Sequence, residues 1–151
     1  MLNQILNFLK IPEKQTEETR ANNIIVCSLA LLIEVAKSDN EFSDIELAEI
    51  TQIACEQFSL TQGEKDELLT LAKTISKEST SLYEFTSVVN EHYNATEKYQ
   101  LIFAMWKVAY ADEQIDRYEE HVIRKVADLI YLPHVKFMEA KHEASLAVKQ
   151  T

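Results

Sequence analysis

The chain has 151 residues, enough for one domain whose core needs no disulfide or metal to hold it. Hydrophobic residues make up 46 %, which excludes a disordered chain, while a single glycine and two prolines argue against all-β folds and glycine-rich phosphate loops. The formal net charge of −10, with no cluster of lysines and arginines, excludes nucleic acid as a main partner and leaves cations, basic proteins or plain solubility as uses for an acidic surface.

Leu2, Ile5, Leu6 and Leu9 mark a short amphipathic helix over residues 1–12 that ends before Pro12. With one lysine and a narrow apolar face, it reads as a cover for the core rather than a membrane-surface anchor, which is the weaker alternative. The acids and Thr16 of the polar stretch 13–23 suit a helix start. From Ile24 to Ala36 the chain is nearly all apolar, the mark of a helix packed on most sides. It ends at the polar turn Ser38-Asp39-Asn40-Glu41. Ser43 with Glu46 forms a capping box, opening a helix with the stripe Ile45, Ile50, Ile53, Ala54 and Phe58.

Thr61 with Glu64 and Ser81 with Glu84 open two more helices in the same way. Their apolar positions are Leu68, Leu69, Leu71, Ala72 and Ile75, then Leu82, Phe85, Val88, Val89 and Tyr93. A second central helix begins near Thr96, carries Leu101, Ile102, Met105, Trp106 and Val108, and stops at Asp112-Glu113-Gln114. Asp116 with Glu119 resembles a further capping box, followed by Val122, Ile123, Val126 and Ala127 on one face. Pro133 suits the first turn of a last helix. That helix shows Val135, Met138 and Leu146 as its apolar positions, and its charges place its far end at the surface. The expectation is an all-α bundle of about seven helices forming one domain over 1–151, with its core over 20–145.

Cys27 and Cys55 lie in hydrophobic helical segments, far apart, and read as buried free thiols of a reducing compartment. The first residues lack the features of a signal peptide. Uninterrupted apolar runs such as Leu29 to Ile33 are far too short to span a membrane. A cytoplasmic location is expected.

The two central helices and their turns overlay with an offset of 73 residues. Val35, Ala36, Asp39, Glu46, Ile50 and Ala54 match Val108, Ala109, Asp112, Glu119, Ile123 and Ala127, six identities in twenty positions. The pattern implies one supersecondary unit used twice, near 24–60 and 97–133.

Asp39 and Asp112 fall just past the C-terminal end of a long helix, where a negative charge opposes the helix dipole at a cost of about 0.3–1 kcal/mol. The N-terminus of the following helix is one compensation. A hard cation such as Ca²⁺ or Mg²⁺, which prefers carboxylate oxygens, is another. Glu46 and Glu119 stand at the third helical position, where a capping glutamate belongs. Turn-and-cap chemistry is the simplest account of both pairs, with metal binding and a recognition surface as alternatives. EF-hands are excluded, because the turns are too short and lack the required glycine. If the central helices run parallel, both turns lie at one end of the bundle and could share an ion. If they run antiparallel, the turns are separated.

His92, His121, His134 and His142 do not have the spacing of a zinc hydrolase, and the two Glu-x-x-His motifs of a di-metal bundle are not present, Glu139 with His142 being a single one. Phe103, Met105 and Trp106 read as core rather than a cofactor box. No Ser-His-Asp or Cys-His arrangement is legible. The expectation is a protein without catalytic function.

The segments LLIEVAKSDNEFSDIELAEI (Leu31–Ile50) and AMWKVAYADEQIDRYEEHVI (Ala104–Ile123) resemble the tellurite-resistance TerB-like family over residues 20–145. The signature is Ala-x-x-Asp with a glutamate seven residues after the aspartate, and it occurs twice. The resemblance implies a compact helical domain linked to tellurite or other stress resistance, with protein partners. It also implies divalent-cation binding at acidic residues, which carried over are Asp39, Glu46, Asp112 and Glu119.

Overall fold

The computed structural model describes residues 17–37, 44–78, 81–111 and 117–149. Seven helices make up the fold among these residues: α1 (Glu17–Ala36), α2 (Asp44–Gln57), α3 (Gln62–Glu78), α4 (Tyr83–His92), α5 (Ala95–Tyr110), α6 (Arg117–Leu129) and α7 (His134–Lys149). The expected helix over residues 1–12 lies outside the described residues.

α1 is the hub. Its apolar run, from Val26 to Ile33, is buried on every side, Ser28 included. It packs against α2, α3, α4, α5 and α6. Such a helix cannot present a polar face, so each buried polar group on it needs a partner. Ser28 meets that need by donating to the Ile24 carbonyl and by sharing a 2.9 Å hydrogen bond with the Tyr93 hydroxyl. The second central helix, α5, buries Leu101, Ile102, Met105, Trp106 and Val108, and packs most extensively on α7.

Three sets of contacts fix the helix directions. Ile24 and Ile25, near the start of α1, share one small cleft with Phe58, past the end of α2, and with Glu97 and Gln100, near the start of α5. Glu49, near the start of α2, pairs with Lys107, near the end of α5, at 3.7 Å. Glu34, near the end of α1, lines a cleft with Tyr118 and His121 from the start of α6. The two central helices α1 and α5 therefore run parallel. Their C-terminal ends, with the N-terminal ends of α2 and α6, lie at one end of the bundle.

The last helix departs from expectation. Val135, Met138 and Leu146 are 73, 45 and 46 % exposed. The buried positions are instead Phe137, Ala140 and Ala144. These also fall at helical spacing, and two alanines let α7 approach α5 closely while the Phe137 ring packs against Trp106 at 5.3 Å, tilted by 52°. On α2, Ile45 is likewise 58 % exposed rather than part of the stripe, which runs through Ile50, Ile53 and Ala54.

Helix ends follow local chemistry. Thr61 and Glu64 form the expected reciprocal box, with the Glu64 amide donating to Thr61 Oγ1 and the Thr61 amide to Glu64 Oε1, both at 3.3 Å. At α4 the start falls one residue later than the expected Ser81–Glu84 box, with Leu82 at the cap position and no side-chain cap bond from it, while the Ser81 hydroxyl accepts from the Tyr83 amide at 3.1 Å. α6 closes with Tyr131 in the left-handed region at φ 61°, the Leu132 amide reaching back to the Ala127 carbonyl at 2.9 Å. Glycine adopts this conformation without the penalty that Cβ imposes. Tyr131 is 80 % exposed, so it has little packing to lose. Tyr131→Gly is expected to stabilise the fold by about 1 kcal/mol in urea unfolding.

Both cysteines are free thiols, but only Cys27 is fully buried, Cys55 being half-buried. Burial pushes the Cys27 thiol up to about 12, which leaves almost no thiolate at neutral pH. Ellman's reagent should therefore titrate one thiol in the native protein and two in denaturant. Rapid native reaction of both would contradict the packing of α1.

Candidate metal centre

Glu46 and Glu119 are each the third residue of a helix, α2 and α6, at the end of the bundle where α1 and α5 terminate. The dipoles of α2 and α6 favour a carboxylate at that position. Burial sets these two apart: Glu46 is 0 % and Glu119 2 % exposed. Every other member of the twofold sequence match that the structure describes is buried as well. Val35, Ala36, Ile50 and Ala54, like Val108, Ala109, Ile123 and Ala127, are at most 2 % exposed. α2 touches both α1 and α5, and α6 touches both α5 and α1. Each glutamate thus enters the bundle on a helix that bridges the two central ones.

Elsewhere in the chain a glutamate completing a capping box stays near water. Glu64 is exposed. Glu97, whose box with Asn94 closes at 3.0 and 2.9 Å, is half-buried. A cap needs only a side chain reaching back to one backbone amide, which works in full contact with solvent. Burying a carboxylate carries a desolvation cost that this task does not require.

Neighbouring acids at this end have cationic partners. Glu49 faces Lys107. Glu34 faces Lys37 at 3.5 Å and accepts from the Ser76 hydroxyl. Glu120 faces Lys141 at 3.2 Å and Arg124 at 3.8 Å. Asp39 and Asp112, along with the cap positions Ser43 and Asp116, lie outside the described residues. Among the described residues no group of three or more His, Cys, Asp and Glu converges on a point where a metal could sit. Glu46 and Glu119 are carboxylates, the hard oxygen chemistry that Ca²⁺ and Mg²⁺ prefer. The four histidines are all exposed.

A family model described as tellurite resistance protein TerB matches residues 26–142. The chain belongs to the TerB family. The matched span contains the second half of α1, all of α5, both turns and all four acids of the repeated signature. No curated protein and no solved structure matches the chain. Within this TerB domain, sequence reasoning missed the Asn94–Glu97 box that opens α5 and the Ser28–Tyr93 bond that ties α1 to the α4–α5 junction. Asn94 and Glu97 have the capping-box spacing and were open to discovery. The Ser28–Tyr93 pair, 65 residues apart, carries no local signal. Among the described residues of the domain, no helix is long and apolar enough to cross a membrane.

Proposed function

We propose that this TerB domain is a non-enzymatic, cytoplasmic protein that binds a divalent cation in tellurite resistance or a related stress response, with Asp39, Glu46, Asp112 and Glu119 supplying the ligands. The observation that carries this reading is the burial of Glu46 and Glu119 at matched positions, against the surface position of Glu64. Two carboxylates buried at one end of the bundle have lost much of their hydration, and each carries the cost of a buried charge. A dication offsets both costs. The parallel course of α1 and α5 supports a shared ion, because it brings the two helix ends that precede Asp39 and Asp112 to the same end of the molecule.

A protein-interaction module with purely structural acids is the second reading. The exposed Val135, Met138 and Leu146 on α7 favour it, since apolar side chains repeated along one helix face are a common docking surface.

Thermal melting of the full chain decides between them. With Ca²⁺ or Mg²⁺ at about 100 times its Kd, the cation adds about 2.7 kcal/mol, or roughly 10 °C in Tm for a domain of this size. The shift should vanish in the double variant Asp39→Ala/Asp112→Ala. Identical Tm values in chelator and in millimolar Ca²⁺ and Mg²⁺ would leave the interaction reading standing alone.

A further inference from the structure

A cleft of about 420 Å³ opens between the start of α4 and the outer face of α6, beside the end of α1. Its volume falls in the range of small-ligand sites. Leu82, Val122 and Leu129 give it apolar walls, and the rings of Tyr83 and Tyr118, 67 and 58 % exposed, flank it. Lys125 and His121, one helical turn apart on α6, add polar groups to the same lining.

The donors outnumber the acceptors. Among the described residues, Lys125, His121 and the Tyr83 and Tyr118 hydroxyls make no hydrogen bond or ion pair. The one carboxylate among the described lining residues, Glu34, already accepts from Ser76 and faces Lys37. The cleft therefore offers one uncompensated positive charge and several hydrogen-bond donors above an apolar, aromatic surface. That combination recognises an anion attached to a ring. The charge of the ligand is limited in turn. A dianion meets the Glu34 carboxylate and the field of a chain of net charge −10 twice over, with a single lysine to balance it.

We propose that this cleft binds a small aromatic monocarboxylate, its carboxylate on Lys125 and His121 and its ring between the tyrosine-bearing ends of α4 and α6. The site is separate from the carboxylates of the cation reading and draws on none of them.

Phenylacetate is the probe, titrated into the full chain in the presence of chelator so that no cation contributes. Calorimetry and amide chemical shifts should show saturable binding, with the shifts confined to residues 81–83 and 118–129. Lys125→Gln should weaken it about tenfold, the effect of losing one charge-assisted hydrogen bond. Lys125 is exposed, so the variant folds as the wild type does. Lys73→Gln, on the exposed side of α3, should leave affinity unchanged, and Tyr83→Ala should lower it. Neutral phenylethanol should bind more weakly and equally to wild type and Lys125→Gln. The proposal fails if phenylacetate does not saturate at millimolar concentration, if Lys125→Gln binds it as tightly, or if phenyl phosphate binds more tightly than phenylacetate.

Discussion

Trp106→Ala is expected to lose about 3–5 kcal/mol of stability, moving the urea midpoint down by about 2 M. Trp106 is fully buried on α5 and makes three ring contacts, two of which hold α7 in place. Its ring lies 5.3 Å from Phe137 at 52°, 6.0 Å from Tyr110, and beneath the Lys141 ammonium at 5.2 Å. Truncation leaves a cavity at the most extensive helix contact in the fold, and the ridges around it, Ala140 and Ala144, are too small to fill it. Circular dichroism in urea checks the result. Leu146→Ala on the same helix should cost less than about 1 kcal/mol, because Leu146 is 46 % exposed. A comparable loss for both would mean that α7 buries the face the sequence first suggests, not the one carrying Phe137.

That contrast shows what was legible and what was not. The central helices were readable because α1 and α5 are apolar over most of their circumference, so no choice of face is needed. α7 offers two candidate stripes, and the larger side chains, Val135, Met138 and Leu146, drew the assignment. Close approach to α5 instead selected the stripe with two alanines, because small residues allow a large partner such as Trp106 to be enclosed. The size of a residue is local information, whereas the shape of the surface it meets is not. Ile45 departs from the expected stripe for a related reason. It precedes Glu46, and on a helix adjacent residues face about 100° apart. With Glu46 turned into the bundle, Ile45 is carried outward.

The same reasoning applies to the site. The positions of Glu46 and Glu119 at the third residue of their helices follow from the capping-box spacing and hold in the structure. Their burial does not follow from that spacing, since Glu64 has the same spacing and stays exposed. Burial comes from where α2 and α6 sit, each wedged across both central helices. The direction of α5 relative to α1 was equally beyond the sequence. It rests on pairs such as Glu49 with Lys107, distant along the chain.

Glu46→Gln and Glu119→Gln separate capping from cation binding more sharply than removal of the aspartates does. Glutamine completes a capping box as glutamate does, because its amide oxygen still accepts from the backbone amide. If both side chains are caps only, the double variant should melt within about 1 kcal/mol of wild type in every buffer. If they hold a dication, the variant should melt at or above wild type in chelator, where its neutral amides avoid the cost of burying two carboxylates, but lose the cation-dependent gain of roughly 10 °C, since a neutral amide is a poor ligand where a carboxylate is needed. The two single variants add a further distinction. Should one ion be shared between the turns, either substitution alone removes most of the gain, because each takes a charge from the same centre. Should each turn hold its own ion, each single variant keeps about half of it, and calorimetry should count two sites in wild type and one in each variant.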